Sequence, residues 1–104
     1  MTVMAELDTK TREALDRLLE IASHDTGQSR RCADFLLSWW NAESCGGFDP
    51  TDLWAVDLQI RQDIVRLVCF IGVAPHYPDA LGYGSQFESL VEQWRPELCR
   101  PRPH

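Results

Sequence analysis

The chain of 104 residues is short of basic residues: ten Lys and Arg stand against sixteen Asp and Glu, for a formal charge of −6. Residues 1–98 hold all sixteen acids and only eight of the bases, because Arg100 and Arg102 lie in the final CRPRPH stretch. A general nucleic-acid binder draws its affinity from a basic face, so this balance argues against that class and against a polybasic membrane anchor. Long apolar runs are also missing. The longest is Leu67 to Ala74, counting Gly72, whereas a spanning helix needs roughly 20 residues. MTVMAELDTKT contains no apolar segment of the secretory kind, and the chain is expected to be cytoplasmic. Four cysteines, Cys32, Cys45, Cys69 and Cys99, occur without any Cys-x-x-Cys pair. That spacing points to reduced thiols and away from a disulfide frame or a structural zinc site. Cys32 and Cys69 each sit in apolar surroundings and read as small buried hydrophobes. There is no Gly-x-Ser-x-Gly elbow, phosphate loop or His-Glu-x-x-His. His24 and His76 lack an evident nucleophile and orienting partner, so no enzyme, metal or cofactor is expected.

What is present is a repeated helical period. Leu15, Leu18, Leu19 and Ala22 share one face of a first segment that Asp8 or Thr9 can cap. Cys32, Phe35, Leu36 and Trp39 repeat the spacing in a second, which Gly46 and Gly47 can end in a left-handed conformation. Asp49-Pro50 starts a short third helix, with Leu53, Trp54 and Val56 expected inward. Asp57 caps a fourth, whose apolar positions Ile60, Ile64, Val65, Leu67, Val68, Phe70 and Ile71 cover so much of its circumference that it is expected at the centre of the domain. After a loop over 77–84, Ser85 and Glu88 form a capping-box pattern ahead of Phe87, Leu90, Val91 and Trp94. The fold expected is all-α, a compact single-domain bundle of four to five short helices over 1–104, with mobile ends at 1–7 and 97–104.

Two features stand out against that plain background. Trp39, Trp40, Trp54 and Trp94 make the chain rich in tryptophan. Trp39 and Trp40 are adjacent, so on a helix they point about 100° apart, and Trp40 is the candidate for a rim or partner contact. The second feature is electrostatic: from Cys32 to Ile60 there are five acids, Asp34, Glu43, Asp49, Asp52 and Asp57, and no Lys or Arg. Helix capping accounts for some of these acids, but not for the lack of any base. Such a field attracts a basic partner surface and speeds encounter.

The run Arg31-Cys32-Ala33-Asp34-Phe35-Leu36-Leu37-Ser38-Trp39-Trp40-Asn41-Ala42, continuing through Cys45-Gly46-Gly47-Phe48-Asp49 to Thr51-Asp52-Leu53-Trp54, resembles small proteins of proteobacterial phages and mobile elements. So do Tyr77-Pro78-Asp79-Ala80-Leu81-Gly82-Tyr83, Gln86-Phe87 and Trp94-Arg95-Pro96. The resemblance is to the sixth family of type I-F anti-CRISPR inhibitors and covers about residues 12 to 98. It implies a small helical protein in the host bacterium that binds the crRNA-guided surveillance (Csy) complex where the large subunit meets the neighbouring backbone subunit, blocking target DNA binding or duplex opening. It implies neither catalysis nor direct nucleic-acid binding. The charge reading, and not the resemblance, nominates Asp34, Trp40, Glu43, Asp49, Asp52 and Asp57 as contact residues. The alternative is an accessory binding module of a mobile element that acts on another host protein. The sequence leaves monomer and dimer both open.

Overall fold

The computed structural model describes residues 7–99, so the expected mobile ends lie outside it except for residue 7 and residues 97–99. Leu7 is buried in the core, and Glu97 and Leu98 belong to an exposed 3₁₀ turn, Pro96–Leu98. The architecture is all-α: α1 (Thr9–Ala22), α2 (Gly27–Cys45), α3 (Leu58–Val73) and α4 (Gly84–Trp94), with 3₁₀ turns at Pro50–Ala55 and Pro78–Leu81. There are no strands among the described residues, and no helix of them is long and apolar enough to cross a membrane.

Local chemistry explains the helix starts. Asp8 caps α1 by accepting from the Thr11 backbone N–H at 2.7 Å, and Thr26 caps α2 by accepting from that of Ser29 at 3.0 Å. Two expected caps take other roles. Asp57 occupies the N-cap position of α3, but its carboxylate accepts from the Gln28 amide at 3.1 Å while its N–H donates to Gln28 Oε1 at 2.6 Å. This two-way pairing fastens the start of α3 to α2. The capping box at Ser85 and Glu88 does not form. Helix α4 begins two residues earlier, with Tyr83 at the N-cap position and its carbonyl accepting from the Phe87 N–H at 3.1 Å, and the Ser85 hydroxyl donates to Gln86. Gly46 ends α2 at φ 95 and ψ 163, a backbone region that only glycine visits readily.

The central helix is α2, not α3. Cys32, Ala33, Phe35, Leu36, Leu37 and Trp39 are all buried, packed between α1 on one side and α4 on the other. Phe87 of α4 lies stacked on Trp40 (centroids 5.6 Å apart) and edge-on to Trp39 (5.9 Å). The indole N–H groups are satisfied by backbone: Trp39 donates to the His76 carbonyl at 3.2 Å and Trp94 to that of Ala22 at 2.8 Å. Helix α3 instead lies at the edge, packed mainly along α1 through Ile60, Ile64 and Leu67. Its other face is open, with Leu58, Val65, Val68, Cys69 and Val73 exposed. Cys69 is therefore not a buried hydrophobe, whereas Cys32 is.

One polar contact fixes α3 on α1. Asp63 is 3% exposed at its side chain and accepts a two-pronged bond from Arg17, Nε at 2.9 Å and a terminal nitrogen at 2.8 Å, with the Gln59 amide adding a third at 3.0 Å. Removing the guanidinium strands a buried carboxylate. Arg17→Met is therefore expected to lower the unfolding free energy by about 2–4 kcal/mol. Arg12→Met, which loses a bond to the Tyr83 hydroxyl at 3.2 Å, should cost under about 1 kcal/mol. Urea titration of both variants checks this, and equal losses would remove the special weight given to Asp63.

Candidate functional site

The acidic segment runs from the middle of α2 through the Pro50–Ala55 turn to the start of α3. The fold divides its five carboxylates into two groups. Asp34 is 16% exposed and sits between two arginines, Arg95 at 2.7 Å and Arg30 at 3.7 Å. Arg95 also donates to the Cys45 and Trp94 carbonyls, so it ties the end of α4 to α2. Asp52 is half-buried and lies 3.5 Å from Arg31 Nε. The stretch that lacks bases along the chain is thus supplied with three guanidiniums in space, all from outside it. Asp34 is a structural anchor, whereas Asp52 lies only within ion-pair reach of Arg31, whose buried Nε makes no hydrogen bond.

Glu43, Asp49 and Asp57 are different. All three are exposed, and none takes part in an ion pair among the described residues. Glu43 lies in the last turn of α2, after a break at Asn41 (φ −166, ψ 86), whose side chain accepts from the Ser44 N–H and restarts the helix. Asp49 caps the 3₁₀ turn, one oxygen accepting from both the Thr51 N–H (2.9 Å) and the Thr51 hydroxyl (2.8 Å). These two bonds hold its carboxyl below the usual value of 3.8. Phe48, next to it, is anchored edge-on to Phe35 with centroids 5.5 Å apart, which pins the loop to α2.

Trp39 and Trp94 pack inward as their spacing predicts, whereas Trp40 and Trp54 depart from the positions expected of them. Trp40 is half-buried against Phe87, so its ring is largely occupied by packing. Trp54, expected inward, is 81% exposed. The reason is the short turn: a 3₁₀ helix has three residues per turn, and Leu53 and Val56 take its inward positions while Trp54 is left outside.

No group of three or more His, Cys, Asp or Glu side chains placed to hold a metal occurs among the described residues. Burial pushes the Cys32 thiol up to about 12 and raises Cys45 as well, the opposite of what a nucleophile needs. A wide groove of about 990 Å³ between α1 and α3 contains the Arg17–Asp63 pair.

The Asp49 cap gives a pH test. A carboxyl whose folded value is lowered contributes stability that is fully present above its unfolded value and is lost as pH falls through the folded one. The stability gap between the parent and Asp49→Ala should stay constant from about pH 7 to about pH 5 and close below about pH 4. Thermal unfolding across that range measures it, and a gap that widens in acid contradicts the assignment.

Neither the curated proteins nor the solved structures include a match to this chain. A family of unknown function, DUF7673, matches residues 12–95, a span that contains all four α-helices from Arg12 onward. By that match, the protein belongs to the DUF7673 family.

Proposed function

We propose that the protein is a binding protein whose acidic segment engages a basic, nucleic-acid-handling surface of a protein partner. The partner we assign is the type I-F crRNA-guided surveillance complex, at the junction of its large subunit and the adjacent backbone subunit. One observation carries the reading: Glu43, Asp49 and Asp57 remain exposed outside any described ion pair, while Arg30, Arg31 and Arg95 lie against Asp34 and Asp52. These three carboxylates lie between the end of α2 and the start of α3, where no Lys or Arg stands beside them in sequence; other exposed acids outside the ion pairs, such as Glu13, Asp25, Asp79 and Glu88, are spread over the other helices and loops. The choice of partner rests on the resemblance of the Arg31–Ala42 and Cys45–Trp54 runs to the anti-CRISPR family. Target DNA in such complexes is held by basic grooves. Carboxylates presented there compete with phosphate for the same Lys and Arg groups, and the helical body behind them excludes the duplex.

This reading narrows the contact residues. Asp34 anchors Arg95, Asp52 lies against Arg31, Trp40 supports the α2–α4 packing, and Glu43, Asp49 and Asp57 meet the partner. A gel-shift of target duplex with the purified surveillance complex, with and without the protein, is the test. The parent should abolish duplex binding. Glu43→Lys combined with Asp49→Lys should slow association at least tenfold at low salt, with a gap that shrinks as salt rises. Circular dichroism separates this from loss of the Asp49 cap. Unchanged duplex binding, with no comigration of protein and complex on a sizing column, would reject this partner and favour a different host protein.

A further inference from the structure

Seven large hydrophobic side chains are exposed among the described residues, and six of them fall between Trp54 and Tyr77. Trp54 (81% exposed), Leu58, Val65, Val68, Val73 and Tyr77 (64%) run the length of α3 and its two flanks. Leu58, Val65 and Gly72 are spaced seven apart, so they share one line along the outer face of the helix, with Val68 and Cys69 beside it. That line is opposite Ile60, Ile64 and Leu67, which face the core. Val65, Cys69 and Val73 edge the groove toward α1, and the rest of the ridge is open to solvent.

We infer that the outer face of α3 is a self-association surface, on which a second copy of this chain packs antiparallel about a two-fold axis passing over Val65. The ends and centre of the pattern are symmetric about that residue, while Val68 and Val73 fall opposite Gln62 and Asp57. Leu58 lies seven residues before it and Gly72 seven after; Trp54 lies eleven before and Tyr77 twelve after. A two-fold there sets Leu58 of each copy over Gly72 of the other, a large side chain into a gap. It sets Trp54 beside Tyr77 at both ends and Val65 against itself. Two-fold interfaces require this kind of self-complementarity, because each patch must meet its own copy.

Gly72 supplies an independent reason. Glycine weakens a helix and is retained where the backbone needs positive φ or something approaches closely. Gly72 is not among the glycines with positive φ, and a Cβ placed on it meets nothing within 4 Å of its own chain. Its own fold makes no use of the missing side chain, whereas Leu58 of a second copy would.

The area suffices for a weak dimer, and the charge on each copy opposes it only at long range and at Arg66. Each aromatic ring brings about 150–250 Å² when fully covered, and with the four aliphatic side chains the ridge covers roughly 500 Å² per copy. The pair then buries about 1,000 Å², the lower bound of a specific interface, which points to a weak, concentration-dependent dimer. The chain carries −6 overall, yet the only acid in α3 is Asp63, buried against Arg17. Two copies thus meet along the helix without exposed carboxylates of α3 facing each other, with Asp57 beside Val73 at each end and Asp8 and Glu13 bordering the groove that Val65 edges. Arg61 is folded back onto the Leu53 and Val56 carbonyls, and Arg66 is exposed beside the ridge.

Sedimentation equilibrium of the full chain from about 1 µM to about 1 mM is the test. The parent should pass from monomer to dimer, and the dimer should tighten with salt, because both the net charge and the paired Arg66 side chains are screened. The acidic-face interaction has the opposite salt dependence, so the two proposals fail separately. Val65→Glu should weaken the dimer at least tenfold. Gly72→Leu should do the same while raising the thermal midpoint of the monomer, since a better helix former enters open space. Leu58→Ala combined with Gly72→Leu exchanges large and small positions and should recover dimer relative to Gly72→Leu alone. A parent that stays monomeric to the top of the range overturns the inference, as does a dimer that Gly72→Leu leaves intact. A monomeric parent whose surveillance-complex binding is lost on Val65→Glu would assign the ridge to that partner instead, and would equally overturn it.

Discussion

The contact between Arg17 and Asp63 decides how the rest of the molecule is arranged. Helix α3 carries apolar residues on two faces, Ile60, Ile64 and Leu67 on one and Leu58, Val65 and Val68 on the other, so apolar burial alone offers two choices of inward side. Arg61, Gln62 and Arg66 accompany the second set and favour its exposure. A carboxylate on the rim of the inward face removes the remaining freedom. Taking Asp63 out of water is expensive unless it is paired and hydrogen-bonded, and Arg17 of α1 and Gln59 provide three donors in one orientation only. With α3 fixed in that rotation, a second apolar face is left outside.

Much of the fold was legible from the spacing of apolar residues. The four α-helices, the Pro50 turn, the Asp8 and Asp49 caps and the stop at Gly46 all follow from local rules that act within a few residues. The failures share one cause, which is that periodicity reports how many faces are apolar but not which neighbour covers each. The breadth of the α3 stripe suggested a central helix, when the width reflects one buried and one open face. Trp54 was expected inside because tryptophan usually is, but a turn of three residues per repeat had only Leu53 and Val56 to spend on the core. The Ser85 capping box lost to a start two residues earlier, with Tyr83 at the N-cap position and Phe87 packed against Trp39 and Trp40.

The same limit applies to the acidic segment. Its lack of bases is real along the chain and untrue in space. The contact from Arg30 to Asp34, four residues apart on one helix, could have been foreseen. Those from Arg95 to Asp34 and Arg31 to Asp52 bring together distant parts of the sequence and could not. Reading the fold back onto the segment separates carboxylates that hold the structure from carboxylates that remain available. Glu43, Asp49 and Asp57 are the second kind, and they give this member of the DUF7673 family a charged surface distinct in chemistry from the apolar ridge of α3.

The orientation of α3 is the claim on which both surfaces depend, and thiol reactivity reports it directly. Cys69 lies on the outer face of α3 and Cys99 in the exposed turn after α4, whereas Cys32 and Cys45 are buried. Native labelling with an alkylating reagent at sub-micromolar protein, read by peptide mass spectrometry, should modify Cys69 at a rate close to that of Cys99. Cys32 and Cys45 should stay unmodified until the protein unfolds. Protection of Cys69 equal to that of Cys32 would mean that α3 is turned the other way, and would contradict the account.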